Sequence, residues 1–61
     1  MQVGDRVWKV TGDYHYEGTI VAVVVKRNGE VRYVVEADHP AGMLMIHSGK
    51  QLAHLIQDKE P

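Results

Sequence analysis

Between Ile20 and Val25 the chain carries six apolar residues in a row, five of them β-branched. Branching at Cβ stiffens χ1 and suits a pleated strand better than a helix. The run is far short of the roughly 20 apolar residues that cross a bilayer, so it reads as a strand, Thr19 to Lys26, and no membrane partner is expected. Successive side chains of a strand point to opposite faces. Ile20, Ala22 and Val24 then share one face, and Val21, Val23 and Val25 share the other. Both faces are apolar. A chain of 61 residues builds only a marginal core. That core is expected to cover one face and leave the second for a partner surface.

The rest of the chain reads as strands arranged around this one. Arg27-Asn28-Gly29-Glu30 follows, and an Asn-Gly pair between apolar strands signals a hairpin with both turn positions at positive φ. Val31 to Ala37 returns as the partner strand, with Val31, Tyr33, Val35 and Ala37 on one face and Arg32, Val34 and Glu36 on the other. Arg6 to Val10 precedes as a strand, joined by the polar stretch Thr11 to Gly18. Asp38 to Gly42 is a loop and Met43 to His47 a short fourth strand. On that strand Leu44 and Ile46 are expected toward the core, with Met43, Met45 and His47 toward an interface or pocket. Ser48-Gly49-Lys50 turns the chain, and Gln51 to Ile56 supplies a 3₁₀ turn and a last strand. Five short strands in one domain, residues 1–56, give an all-β fold, a small five-stranded SH3-like barrel. Residues 57–61 form a polar tail, expected to fray.

Composition narrows the chemistry. There is no Cys, which excludes disulfides and thiolate zinc sites, fits a reducing, cytoplasmic setting, and makes oligomerisation the leading remedy for a small core. Seven basic against eight acidic residues give no excess of positive charge for nucleic acid. His15, His39, His47 and His54 are scattered, so no metal site is expected. No Gly-x-Gly-x-x-Gly or His-Glu-x-x-His run occurs. Ser48 has no evident base, and Glu36 and Asp38 read as solvated. Conventional acid–base catalysis is therefore not expected.

One resemblance covers Gly4 to about Ile56. Gly4-Asp5-Arg6-Val7, Lys9, Thr11-Gly12, Gly18 with Ile20-Val21, Gly29, Tyr33, Val35-Glu36, His39-Pro40, Gly42, Ile46 and Leu52 stand in the order and spacing of a known family. In these positions the chain resembles the type II (type B) dihydrofolate reductases, small plasmid- and integron-borne enzymes that confer trimethoprim resistance. The resemblance implies an SH3-like barrel that assembles into a homotetramer with dihedral symmetry. A shared central pore would take NADPH from one side and dihydrofolate from the other, holding them together without a general acid or base.

Carried over by position, Lys9 matches the lysine that attracts the charged tails of both ligands. Leu44-Met45-Ile46-His47 matches the pore motif Val-Gln-Ile-Tyr. Ile46 is then the residue whose backbone groups bind the nicotinamide carboxamide and the pterin, while Met45 and His47 replace Gln and Tyr. Tyr16 and His39 match interface positions, and His39 the loop histidine whose protonation splits the tetramer. The alternative is a noncatalytic SH3-like oligomeric or interaction module of phage or mobile-element type. A nucleic-acid-binding domain of the KOW or Tudor type ranks third, given the charge balance.

Overall fold

The computed structural model describes residues 1–55. Five strands, β1 (Arg6–Lys9), β2 (Glu17–Val25), β3 (Val31–Ala37), β4 (Leu44–His47) and β5 (Leu52–His54), form one antiparallel sheet in the order β4-β3-β2-β1-β5. A 3₁₀ turn, Gly49–Gln51, links β4 to β5. The all-β class and the strand count agree with the sequence. β4 and β5 are the two edges, and no ladder joins them among the described residues. The expected end of the last strand at Ile56 and the tail at 57–61 lie outside the described residues.

The β2–β3 connection corrects the turn expected there. Five residues, Lys26 to Glu30, separate the strands. Gly29 N–H donates to Lys26 O at 2.8 Å and Lys26 N–H to Glu30 O at 2.7 Å. Gly29 takes φ 92°, whereas Asn28 does not enter positive φ. Asn28 instead accepts Glu30 N–H through its side chain at 3.0 Å. The longer loop needs only one left-handed residue, as in three-residue hairpins that close on a glycine.

The alternation along β2 also departs from the sequence reading. Ile20 pairs with Val35, but Ala22 pairs with Val34, so a bulge at Val21 sets two residues against one. A bulge reverses the faces beyond it. Val23 and Val25, opposite Tyr33 and Val31, therefore lie on the face of Ile20, and Ala22 and Val24 on the opposite face. The expected grouping of Ile20, Ala22 and Val24 is thus broken after its first member.

β4 is turned the other way from expectation. Its register sets Met45 against Val35 and His47 against Tyr33. Directly opposed residues share a face, so Met45 and His47 follow Val35 inward. Leu44 and Ile46 follow Glu36 and Val34 outward and are 60% and 62% exposed. The core comprises Val7, Tyr16, Ile20, Val35, Ala37 and Leu52, with Tyr33, Met43 and Met45 packed against it. His47 is the buried polar residue. The second apolar face anticipated from sequence does exist, built from Ala22, Val24, Val34, Leu44 and Ile46.

Gly18 allows this sheet to close up. A Cβ there would lie 2.5 Å from Glu36 O and 2.8 Å from Val35 Cγ1. Backbone on the facing strand cannot move aside, so Gly18→Ala is expected to cost about 1–3 kcal/mol or more. Gly29→Ala meets open space but keeps a strained φ, for about 1–2 kcal/mol. Urea unfolding of the two variants should rank Gly18→Ala as the more damaging.

Candidate functional site

The open edge of β4 follows from its ladder. Ala37 N–H donates to Met43 O at 2.8 Å. Bonded and non-bonded pairs alternate along an antiparallel ladder. In the observed register Val35/Met45 and Tyr33/His47 are bonded pairs, and Glu36/Leu44 and Val34/Ile46 are not. The backbone N–H and C=O of Leu44 and Ile46 therefore point away from β3, along the free edge of the sheet. Their apolar side chains cover the outer face beside it. Of the four residues expected in a pore, Leu44 and Ile46 face outward, while Met45 and His47 face the chain's own interior. Met45 packs against the core and His47 is buried, for the pairing reason given above.

His47 is held from a distant segment. Tyr16 Oη and His47 Nε2 lie 2.6 Å apart, and both residues are buried. Desolvation raises the Tyr16 pKa, and the hydroxyl donates to Nε2 when the neutral ring carries its proton on Nδ1. Tyr14 stacks on Tyr16 with ring centroids 5.5 Å apart. Desolvation, then the Lys9 ammonium nearby, lowers the His47 pKa, against a smaller opposing contribution from the Gln51 side chain.

Lys9 is committed to its own loop. Its Nζ donates to Thr11 O and, at 3.4 Å, to Tyr14 O. The ammonium at this end of the sheet is thus held by backbone carbonyls of its own loop, at the solvent-exposed surface.

The two residues expected at an interface come together. Tyr16 and His39 line one open cleft with Tyr14, His15, Glu17 and Asp38. Asp38 N–H donates to Glu17 O at 2.9 Å, which fastens the two loops to each other. His39 is exposed, whereas Tyr16 is buried and offers a partner little surface.

Asp38 is not the solvated carboxylate expected from sequence. Arg6 Nη1 donates to Asp38 Oδ1 at 3.0 Å and Nη2 to Oδ2 at 2.6 Å. Nη1 also reaches Thr19 Oγ1 at 2.9 Å. This fork pairing joins the start of β1 to the loop after β3. Glu36, by contrast, is exposed, as anticipated. Ser48 accepts at its carbonyl from Gln51 N–H, and donates its own N–H to Gln51 Oε1, both at 3.1 Å, so it shapes the 3₁₀ turn. Neither the Tyr16–His47 bond nor the Arg6–Asp38 pair was visible in sequence, since each joins residues more than 30 positions apart.

Among the described residues no three His, Asp or Glu side chains are grouped to hold a metal ion. No described helix is long and apolar enough to cross a membrane. Comparison with protein-family models, curated proteins and solved structures returns no match to this chain.

The Arg6–Asp38 pair yields a pH prediction. Hydrogen bonding from Arg6, against partial desolvation, holds the Asp38 carboxyl below its ordinary range. A carboxyl whose pKa is depressed by folding contributes stability above its unfolded value and loses it as pH falls through the folded value. Asp38→Asn should therefore lower the urea midpoint at neutral pH. The gap to wild type should narrow on acidification below about pH 4, where the unfolded carboxylate titrates.

Proposed function

We propose that the chain is an NADPH-dependent dihydrofolate reductase of the type II kind, working as a homotetramer of SH3-like barrels that trimethoprim does not inhibit. The free backbone edge at Ile46 carries this reading. A strand edge with an adjacent N–H donor and C=O acceptor matches flat ligands that present a donor and an acceptor side by side, as a carboxamide and a pterin both do. Such contacts depend on the backbone, so they tolerate the replacement of neighbouring side chains. The strand order, with β1 between β2 and β5 and with β4 at the edge, is also that of an SH3-like barrel.

Assembly follows from the outer face. Val24, Leu44 and Ile46 are exposed beside the half-buried Val34, an apolar face that a second copy would cover. A second copy packed there would cover it and bring the β4 edges of the copies toward a common channel. Four Lys9 ammonium groups around that channel would draw in anionic ligands. NADPH supplies the hydride and water the proton. The chain's own work is to hold the two flat ring systems in contact, so rate comes from proximity and orientation.

A noncatalytic oligomeric module is the second reading. It is favoured by the inward turn of Met45 and His47, which withdraws two side chains from any channel. Met45→Gln would put an amide against the core beside Val35, so it is expected to cost stability rather than to raise turnover.

Following NADPH absorbance with dihydrofolate, with and without trimethoprim, separates the readings. Turnover indifferent to the drug is expected, whereas an intact tetramer without turnover selects the noncatalytic module. Lys9→Met should weaken binding of both ligands and flatten its salt dependence, since attraction between exposed charges is screened over about 8 Å at physiological ionic strength. Ile46→Asp should leave the single chain folded and convert the assembly to smaller species by light scattering. A wild-type monomer at micromolar concentration would refute the shared channel.

A further inference from the structure

We propose that His47, through its hydrogen bond to Tyr16, is the positioning residue for the free edge of β4, and that uptake of a proton by His47 releases that edge. The function this serves, ligand binding at the edge, rests on the reductase reading. The switch itself rests only on the fold.

β4 has little else to hold it. It is four residues long, pairs on one side only, and turns Leu44 and Ile46 to solvent. Its remaining anchors are the ladder to β3, the half-buried Met45 and the buried His47. The Tyr16–His47 bond of 2.6 Å is the polar tie from this strand to the segment that precedes β2. It sits one residue beyond Ile46, so it sets where the exposed Ile46 peptide groups lie.

The described surroundings of His47 favour a neutral ring. Lys9 approaches from β1, Tyr16 from the segment before β2 with Tyr14 stacked behind it, Tyr33 from β3, and Gln51 from the 3₁₀ turn. None of these is a carboxylate, and Lys9 is itself a cation. A neutral imidazole accepts the Tyr16 hydroxyl proton at Nε2. An imidazolium can only donate its Nε2–H to the Tyr16 oxygen, which turns the hydroxyl proton away, and its charge would be buried near the Lys9 cation with no anion among the described residues to balance it. Solvating that charge requires the ring to swing out, and the end of β4 moves with it. The depressed basicity of His47 agrees in sign. A group whose pKa falls on folding supports the folded arrangement above its unfolded value, about 6.5, and withdraws that support as pH drops below it.

Amide hydrogen exchange on the whole chain, corrected for the intrinsic pH dependence, tests this at about pH 8 and about pH 5, either side of the histidine range. The reporters are the Met45 and His47 amides, which bond to β3, with Ile20 as the reference for the sheet as a whole. In the wild type, protection of Met45 and His47 should drop by about tenfold or more on acidification, while Ile20 holds. His47→Gln keeps an acceptor for Tyr16 but does not titrate, and should show equal protection at both pH values. Tyr16→Phe should show the low protection at both. A wild-type loss shared equally by Ile20, or no loss, overturns the switch, as does an unchanged acid response in His47→Gln. NADPH affinity, measured in parallel, should fall with acid in the wild type and not in His47→Gln. The same pair in a His39→Ala background keeps the loop histidine out of the comparison. Absence of NADPH binding at every pH would defeat the reductase reading, and the exchange result would still decide the switch.

Discussion

The line of cross-strand pairs Ile20–Val35–Met45 sets the orientation of three strands at once. Val35 is fully buried in the strand between the other two. Whatever stands opposite it shares its face, so the core side of β2 and of β4 is decided by this one residue. From that line the rest follows. Tyr33 and His47 come inward one step away, and Val34 and Ile46 go outward on the other side. Gly18 lets the start of β2 lie against the end of β3 where a side chain would meet backbone.

With so few apolar residues inside, polar contacts take an unusual share of the tertiary structure. Tyr16–His47 ties the edge strand to the loop before β2, and Arg6–Asp38 ties the first strand to the loop after β3. The first is buried between two residues that each need a partner once removed from water. The second is partly solvent-exposed, where an ion pair contributes little energy but its fork geometry fixes a direction. The first draws on the stretch Tyr14 to Glu17, which also lines the open cleft with His39 and to which Asp38 is bonded through its backbone.

The same pairing that buries Met45 and His47 leaves an edge and an apolar face unsatisfied on the side of Leu44 and Ile46. Backbone groups on a sheet edge and apolar residues beside it are a standing invitation to a partner. In the proposed reading the two are divided: the face goes to another copy of the chain and the edge to ligand. The division requires β4 to be straight and firmly seated, although the strand itself is short and has few anchors. A buried histidine at its end meets that need and makes it sensitive to acid.

Strand positions were legible in the sequence because β-branched runs, glycine-bearing turns and polar breaks are local signals. β1, β2, β3 and β4 fall within two residues of where those signals put them, and the 3₁₀ turn precedes the last strand as expected. A surplus apolar face was legible too, because six apolar residues in succession cannot alternate. Which residues form that face was not. Strand alternation has a period of two, so a single bulge at Val21 moves Ala22 and Val24 to the opposite side, and a strand of four residues reads equally well in either orientation. Only pairing with Val35 chose between them. The Tyr16–His47 and Arg6–Asp38 contacts likewise belong to the folded chain alone, since nothing local in the sequence marks partners that the sheet brings together across more than 30 residues.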